Sequence, residues 1–437
     1  MAEDYASYSC QARGQKIFTP LGGTVPSPRR WYQRDIDQII YSTVFRKLQR
    51  KSQLLPTQDP RRRTRLVHTL EVARIARDMS RHLGLDRTLT EAIALGHDLA
   101  NSPYGYVGNE VLLNLTNAHN EIAFRHEPAG ALMVESLTAR TLPQDRAEEA
   151  EIAIDHGTPW SRDDFQLAIG RVRNPKRLDQ PVYYQCEVTP EVVDGIRCHS
   201  GLQQPSTLEG QVVRNADNFA YLSQDVDDLM ASELLDRSWY MALGGRPFVL
   251  KGLSRSIKDL DEGFSEDLSV KRLFSGSGGT RIGTLIARFV QHNLDRLATE
   301  DFDSAPRSAV TGLPLPQLLL DPGLDFAVKY LWSIIEGYYE RGHIARSAEL
   351  QRVEISQLFN VISDHLINDN ESVADFMQKA NDDTRFRNFN EKWKIAYLIA
   401  HLSWDEVTAI LKRAAERDYN SVIDLDEALN PARYSHA

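Results

Sequence analysis

Apolar residues recur at spacings of three and four along most of this chain, so nearly every predicted element is a helix. From Trp31 the stripe runs through Ile36, Ile39, Ile40, Val44 and Leu48, giving a helix that Pro56 ends before a turn at Asp59 and Pro60. The next helix carries His68 near its start and buries Val72, Ile75, Ala76, Met79 and Leu83, with Gly84 as its stop. Thr88 and Glu91 have capping-box spacing and predict a third helix, with Ala92, Leu95, Gly96 and Leu99 as its apolar face. His97 and Asp98 fall near the end of that helix, ahead of the break at Ser102-Pro103.

Helical spacing returns over Val107–Leu115, Ala129–Leu137 and Glu191–His199. Between them, Trp160–Pro190 reads as a loop or a short hairpin, with Asn174-Pro175, Pro181 and the β-prone Val182-Tyr183-Tyr184. Val212, Ala216, Phe219 and Val226 form the buried stripe of a further helix. On another face of it, Asp217, Tyr221 and Asp225 stand in one row at i, i+4 and i+8. The chain is irregular over Gly244–Gly279, with a flexible loop at Ser275–Gly279, and Ser304–Pro322 reads as a connector. Long helices are predicted over Ile282–Ala298, Leu324–Arg341, Ser347–Ile367 and Glu391–Arg413. The fold class is all-α: a turn-rich N-terminal arm over 1–30, a site-bearing helical core over 31–240, and a mainly helical C-terminal region over 241–437.

Composition narrows the class of protein. With 437 residues, 42% hydrophobic and 26% charged, the chain is an ordinary globular one. A net charge of −10 opposes general coating of nucleic acid, although Arg61-Arg62-Arg63 is either a local phosphate contact or a solvated turn. Cys10, Cys186 and Cys198 are too few and scattered for a disulfide framework, which fits a reducing cytoplasm. No apolar run spans a bilayer, and no signal pattern opens the chain, so a cytoplasmic location is expected.

Candidate chemistry centres on His97-Asp98, read with His68 upstream and Asp217 downstream. Two imidazoles and two carboxylates suit a hydrolytic divalent metal: Mn, Fe, Mg or Zn. Consecutive residues lie about 100° apart around a helix, so an adjacent pair at a helix end can converge on one ion. A lone histidine on an amphipathic helix is an ordinary packing residue, and a His-Asp dipeptide is common by chance. Their joint placement on three helices carries the reading.

Several ordered blocks resemble the HD-domain deoxynucleoside triphosphate triphosphohydrolases, in particular the bacterial dGTPase branch. They are Gln33-Arg34-Asp35, Phe45–Gln49, Lys51-Ser52-Gln53, Arg63–Val72, Glu91–Leu99, Gly195-Ile196-Arg197, Gly210–Arg214, and Ala216–Tyr221 running into Asp225–Asp228. The resemblance covers about Trp31 to Met230. It implies hydrolysis of a dNTP to the deoxynucleoside and triphosphate, with His68, His97, Asp98 and Asp217 as metal ligands. It further implies that Gln53 reads the deoxyribose 3′-hydroxyl, that Arg65 contacts phosphate, and that Tyr221 and Asp225 contact the sugar. His126 stands where the family has a further active-site histidine, beside Glu127 and near His119. The family forms dimers or hexamers, so a homo-oligomer is implied, and single-stranded DNA is an effector of some relatives.

The departures from the family are specific. Where it carries two further histidines and a glutamate after His-Asp, this chain has Asn101, Tyr106 and Asn109; Asn218 replaces a lysine after the metal-binding aspartate. Asparagine does not titrate, and tyrosine with a pKa of about 10 is a poor acid-base group at neutral pH. General acid-base catalysis contributes ~10²–10⁴-fold, so this sequence supports two readings. One is a triphosphohydrolase with a rebuilt surround; the other is a silent homologue that binds metal and nucleotide as a sensor or as the regulatory partner of an active paralogous subunit. His156-Gly157 and His199-Ser200-Gly201 read as structural blocks, and the Ser275–Gly279 loop lacks the lysine of a phosphate-binding P-loop.

Overall fold

The computed structural model describes residues 6–16, 29–53, 63–117, 121–157, 160–162, 165–172, 181–231, 247–250, 253–256, 278–325, 328–329, 342–367 and 370–416. Its helices in chain order are α1 (Gln11–Gly14), α2 (Trp31–Ile40), α3 (Thr43–Lys47), α4 (Arg65–Leu83), α5 (Arg87–Gly96), α6 (Gly105–Thr116), α7 (His126–Thr138), α8 (Ala147–His156), α9 (Pro190–Cys198) and α10 (Leu208–Ala231). The second half adds α11 (Gly278–Leu297), α12 (Gly342–Val361), α13 (Glu371–Asp382), α14 (Glu391–Ala400) and α15 (Trp404–Ala415). The all-α expectation holds, with short antiparallel strands set among the helices.

The core of the site-bearing half is α4 packed between α5 and α10, with α2 and α9 also against α5. The predicted stripe of α4 is buried through Val72, Ile75, Ala76, Met79 and Leu83. Thr64 caps its start by accepting from Val67 N–H, and Gly84 ends it in the left-handed conformation at φ 72°. α5 begins two residues earlier than the Thr88–Glu91 spacing predicts. Asp86 is the cap and accepts from the N–H groups of Thr88 and Leu89, while Glu91 pairs with Arg77. Its carboxylate takes both orphan donors at once, which leaves Thr88 no capping role.

Other predicted boundaries also move. The single helix from Trp31 breaks at Tyr41-Ser42, because the Ser42 hydroxyl caps a new helix through Phe45 N–H. The long helix over Glu391–Arg413 likewise breaks at His401–Ser403, where Ser403 and Glu406 form a reciprocal capping box. The Trp160–Pro190 stretch is more ordered than a loop. β2 (Trp160–Arg162) pairs with β3 (Phe165–Leu167), and β5 (Val182–Cys186) lies between β1 (Ala139–Thr141) and β4 (Ile169–Val172). Every residue of β5 is buried, as expected for a central strand rich in β-branched and aromatic side chains. β6 (Pro247–Leu250) and β7 (Leu253–Ser256) form a hairpin inside the expected irregular stretch. Gly278 and Gly279 of the expected flexible loop belong to the first turn of α11, while 275–277 lie outside the described residues. Most of Leu324–Arg341 also lies outside them.

The described part of the N-terminal arm is coiled onto its own chain. Ser9 Oγ and Cys10 N–H donate to the fully buried Glu209 carboxylate, and Arg13 is paired with Glu191. Buried acceptors draw the donors inward, since an unpaired carboxylate would be costly to bury. All three cysteines are free and buried, and no helix among the described residues is long and apolar enough to cross a membrane.

Asp35 of α2 carries a stability prediction. Its Oδ2 accepts from Thr189 N–H and Oγ1 at 3.3 and 2.7 Å, its Oδ1 has no hydrogen-bond partner, and the residue is fully buried. Burial pushes its pKa up to about 8, against the lowering effect of the Thr189 hydrogen bonds. The unfolded chain releases this proton near pH 4 and the folded chain does not, so stability falls as pH rises from about 4 to 8. Asp35→Asn keeps a neutral acceptor for Thr189 and is expected to raise the urea midpoint at pH 7.5 but not at pH 4.5. Equal midpoints at both pH values would show that Asp35 is ionised in the native protein.

Candidate metal and phosphate site

Three helices bring the four predicted ligands together. His68 lies in the first turn of α4, His97 and Asp98 follow the end of α5, and Asp217 lies in α10. Asp217 Oδ1 is 3.0 Å from His68 Nε2 and 3.7 Å from His97 Nε2. Asp98 Oδ2 is 3.9 Å from His68 Nε2 and 3.4 Å from His97 Nε2. Neighbouring ligands bound at about 2.1 Å stand roughly 3 Å apart, so His68, His97 and Asp98 are close enough together to share one ion, with Asp217 flanking the two histidines.

The donor chemistry fits as well as the spacing. His97 Nδ1 lies 2.7 Å from the Ala94 carbonyl, which only accepts, so Nδ1 carries the proton. His97 Nε2 then holds a lone pair; it is buried, has no hydrogen-bond partner, and faces two carboxylate oxygens. Three acceptors converging in a buried place call for a cation. Burial acts to raise the Asp98 pKa, but Arg65 and the surrounding imidazoles outweigh it and hold the carboxyl well below its usual range. Asp217 is held down to about 2, with burial again outweighed, here by the His68 hydrogen bond and the neighbouring imidazoles. Asp217 is the most exposed of the four and marks the open side of the cage.

Arg65 borders this cage. Its Nη1 donates to Asp98 Oδ2 at 2.9 Å and its Nε to the Ser52 carbonyl at 3.2 Å. Ser52 N–H in turn donates to the Pro103 carbonyl, which docks the Ser52-Gln53 segment on the turn that follows Asp98. Gln53 is buried there with an Oε1 that accepts no hydrogen bond. Lys51, almost wholly enclosed, donates from Nζ to the carbonyls of Leu99, Asn101 and Ala400 at 3.3, 2.7 and 2.5 Å. It therefore ties the Asp98 turn to the end of α14, and burial pulls its pKa down to about 7.

Gly105 lets these pieces meet. Its φ is +56°, and a Cβ there would stand 2.8 Å from Arg65 Nη2 and 2.9 Å from the Ser52 carbonyl oxygen. Gly105→Ala is expected to displace Arg65 and Gln53 and to lower by about 10²-fold any activity that depends on their positions, the effect of an ångström-scale misplacement. Steady-state kinetics beside a thermal melt test this, and a variant that folds and turns over like wild type would refute the assigned packing.

Asn101 and Asn109 form an amide relay. Asn101 Nδ2 donates to Asp98 Oδ1 at 2.7 Å, Asn109 Nδ2 donates to Asn101 Oδ1 at 3.0 Å, and Asn109 Oδ1 accepts from Ser102 N–H at 3.0 Å. The relay orients Asp98 without a group that titrates. Tyr106 is partly exposed on α6.

Tyr221 and Asp225 lie one and two turns beyond Asp217 on α10. Asp225 is fully buried and paired through Oδ1 with Arg63, while Oδ2 has no hydrogen-bond partner. Arg63 also holds Glu71 and Asp228, each at 2.9 Å, so it is neither a phosphate contact nor a solvated turn. Arg61 and Arg62 fall outside the described residues, as does His119.

His126 opens α7 on one side of Asp98, and His199 stands beside it. The sequence places His199 in a structural block, but its Nε2 is 3.2 Å from His126 Nε2 and its ring lies 5.1 Å from that of His97. Its pKa is pushed down to about 4 by burial, with His97 and His126 adding to the effect. The signal for it in the sequence was the position one residue past a helix end, the same placement as His97. His156, by contrast, is exposed at the end of α8.

Comparison with known proteins places the site in context. The HD domain family matches residues 65–222, a range that includes the four predicted ligands and Arg65. Proteins described as deoxyguanosinetriphosphate triphosphohydrolase-like are similar over longer stretches. That of Caldanaerobacter subterraneus subsp. tengcongensis is 38% identical over 205 residues, 47% of each chain. That of Desulfatibacillum aliphaticivorans is 36% identical over 246 residues, 53% of this chain and 55% of the relative. That of Rhodopseudomonas palustris strain BisB5 is 31% identical over 318 residues, 71% of each chain. The chain thus spans about half the length of the first two relatives and more of the third.

Proposed function

The chain belongs to the HD-domain, deoxyguanosinetriphosphate triphosphohydrolase-like family, and from that membership we propose that it is a metal-dependent dNTP triphosphohydrolase. The observation that carries the proposal is the convergence of His68, His97, Asp98 and Asp217 with Arg65 against Asp98. Those four residues would hold a divalent cation. Such an ion supplies a Lewis acid for a phosphoryl oxygen and makes water a stronger acid.

In the reaction, water attacks the α-phosphorus and the bond from that phosphorus to O5′ breaks. The deoxynucleoside leaves with a proton on O5′, and inorganic triphosphate is released. Arg65 presents a planar guanidinium, already oriented by Ser52 and Asp98, to the triphosphate. Gln53 Oε1 accepts from the 3′-hydroxyl. Tyr221 packs on the deoxyribose, where a 2′-hydroxyl would clash, and Asp225 Oδ2 supports the sugar. His126 supplies the remaining catalytic group on the side of Asp98 facing His199. Oligomerisation through the N-terminal arm, as a dimer or hexamer, belongs to the same reading.

The Asn101–Asn109 relay favours a second reading, a homologue that binds metal and nucleotide without turnover and regulates an active partner. Product analysis with each dNTP and Mn²⁺ or Mg²⁺ separates the two. Deoxynucleoside plus triphosphate in equal amounts, absent with Asp98→Ala, is expected. Nucleotide-dependent stabilisation without product would overturn the enzyme reading in favour of the regulatory one.

A further inference from the structure

A cavity of about 630 Å³, lined by none of the four cage residues, lies between α7, α8, α9, β3, β4 and residues 384–388. Its size is that of a site for a small organic molecule. One face of α9 forms a wall, because Pro190, Val193, Asp194 and Arg197 follow i, i+3, i+4 and i+7. The opposite face is pressed on α5, where a Cβ on Gly195 would stand 2.5 Å from Ile93 Cδ1. That close approach leaves Arg197, the last residue of the Gly195-Ile196-Arg197 block, on the cavity side.

The lining is apolar with one pair of opposite charges. Ala153, Leu167, Val188 and Val193 are buried along it, with Ile154 and Ile169 half-buried beside them. Other charged groups of the lining are engaged by the protein: Asp194 accepts from Ser206 N–H and Oγ at 2.6 and 2.9 Å, and Arg385 donates to Asp383 and Ser136. Arg387 is exposed at the rim. Glu135 and Arg197 stand differently. Glu135 Oε1 and Arg197 Nη2 are 3.9 Å apart, beyond hydrogen-bond length. Glu135 is only 8% exposed, and its carboxylate accepts no hydrogen bond from the described residues.

We propose that this cavity binds an α-amino acid with an apolar side chain, its ammonium on Glu135 and its carboxylate on Arg197. A buried carboxylate without a donor is costly, and α7 is buried along nearly its whole length around Glu135. Burial pushes the Glu135 pKa up, against Arg197 and Arg385, so no partner in the protein holds it ionised at its usual value. An ammonium supplies that partner.

The spacing selects a zwitterion. Bonds of about 1.46 and 1.52 Å place an α-ammonium nitrogen roughly 2.5 Å from its own carboxylate carbon. Charge-assisted hydrogen bonds of about 2.7–2.9 Å then reach Glu135 and Arg197 together, with the two dipoles antiparallel. A simple amine would leave Arg197 unmatched, and a simple carboxylate would leave Glu135 buried and unpaired. Leu167, Val188 and Val193 face the side chain and offer it no hydrogen-bond partner, which favours an apolar one.

Isothermal titration of the full chain, without metal or nucleotide, tests the site independently of the proposed reaction. L-phenylalanine, L-leucine and L-aspartate are the amino-acid probes. Phenethylamine and 3-phenylpropionate are the matched controls, since they lack the carboxylate and the ammonium of L-phenylalanine. One L-phenylalanine or L-leucine per chain with a Kd below ~1 mM is expected, and L-aspartate at least about tenfold weaker. Each control should also be at least about tenfold weaker, the effect of losing one hydrogen bond to a charged group. Glu135→Gln and Arg197→Met should weaken L-phenylalanine by a similar factor while leaving the circular dichroism unchanged. No binding of either apolar amino acid would overturn the proposal. Equal affinity for the two controls would show an apolar hollow without amino-acid recognition, and unchanged affinity in both folded variants would place the ligand elsewhere; each outcome overturns it. If a variant fails to fold, the comparison of L-phenylalanine with its two controls on the wild-type chain still decides.

Discussion

On the proposed function, Asp98→Ala abolishes divalent-metal retention and dNTP hydrolysis together. Asp98 Oδ2 faces His68 Nε2, His97 Nε2 and the Arg65 guanidinium, while Oδ1 takes the first amide of the Asn101–Asn109 relay. Truncation removes a proposed ligand, the anion that orients Arg65, and the anchor of the relay in one step. Loss of an outer-shell partner costs ~10–100-fold in metal affinity or activity, and loss of this ligand should exceed that range. The fold should survive, because α4, α5 and α10 keep their apolar contacts. Metal analysis, turnover and a thermal melt on the same preparation check the result. A variant that keeps its metal and a rate within tenfold of wild type would mean that the cage is not where the chemistry occurs. Asp98→Asn is the companion variant, since it preserves shape and a hydrogen-bond acceptor while removing the charge.

Arg63→Ala is expected to produce the largest loss of stability. One guanidinium is paired with Glu71, Asp225 and Asp228, and Asp225 is fully buried. The three carboxylates keep the arginine charged against the effect of burial. Burial still pushes Asp225 up to about 7 despite Arg63 beside it. Breaking a buried pair by deleting one partner costs about 3–5 kcal/mol, because the remaining charge is left uncompensated. The pH dependence has a definite sign. Without Arg63 the folded form holds protons that the unfolded form releases above about pH 4, so stability is retained at low pH and lost as pH rises. The deficit at pH 7.5 should therefore shrink at pH 5. Arg63→Lys should recover less than half of it, since one ammonium cannot serve three carboxylates in a fixed fork geometry. Urea unfolding at both pH values tests the prediction, and a pH-independent deficit would count against ionised carboxylates as its cause.

Arg63 also shows where reading the chain in one dimension stops. The tripeptide Arg61-Arg62-Arg63 is a basic strip in sequence, yet its last member is held by Glu71 nearby in the chain and by Asp225 and Asp228 of α10, more than 150 residues later. The two distant partners cannot be read from the charges that neighbour Arg63 in the chain. The same limit explains His199. Its chemistry depends on the contact of α9 with α7 and on which ring nitrogen the Ile196 carbonyl engages. Asp86 displaced Thr88 as a cap for a smaller reason: both types cap well, and only the backbone angles of residue 86 decide between them.

By itself, the sequence determined the helical character of the chain and the buried stripe of α4, and it singled out His68, His97, Asp98 and Asp217 as candidates for a metal. Helical periodicity is local, and the candidates rest on ordered family-like blocks rather than on a His-Asp pair alone. Tertiary structure alone decided that Lys51 ties the Asp98 turn to α14, that Gly105 clears space for Arg65, and that His199 meets His126. Each of these is a contact between distant segments. Such contacts follow from how helix faces pack and from which buried polar atoms must find partners, and neither is written in the spacing of residues along one helix.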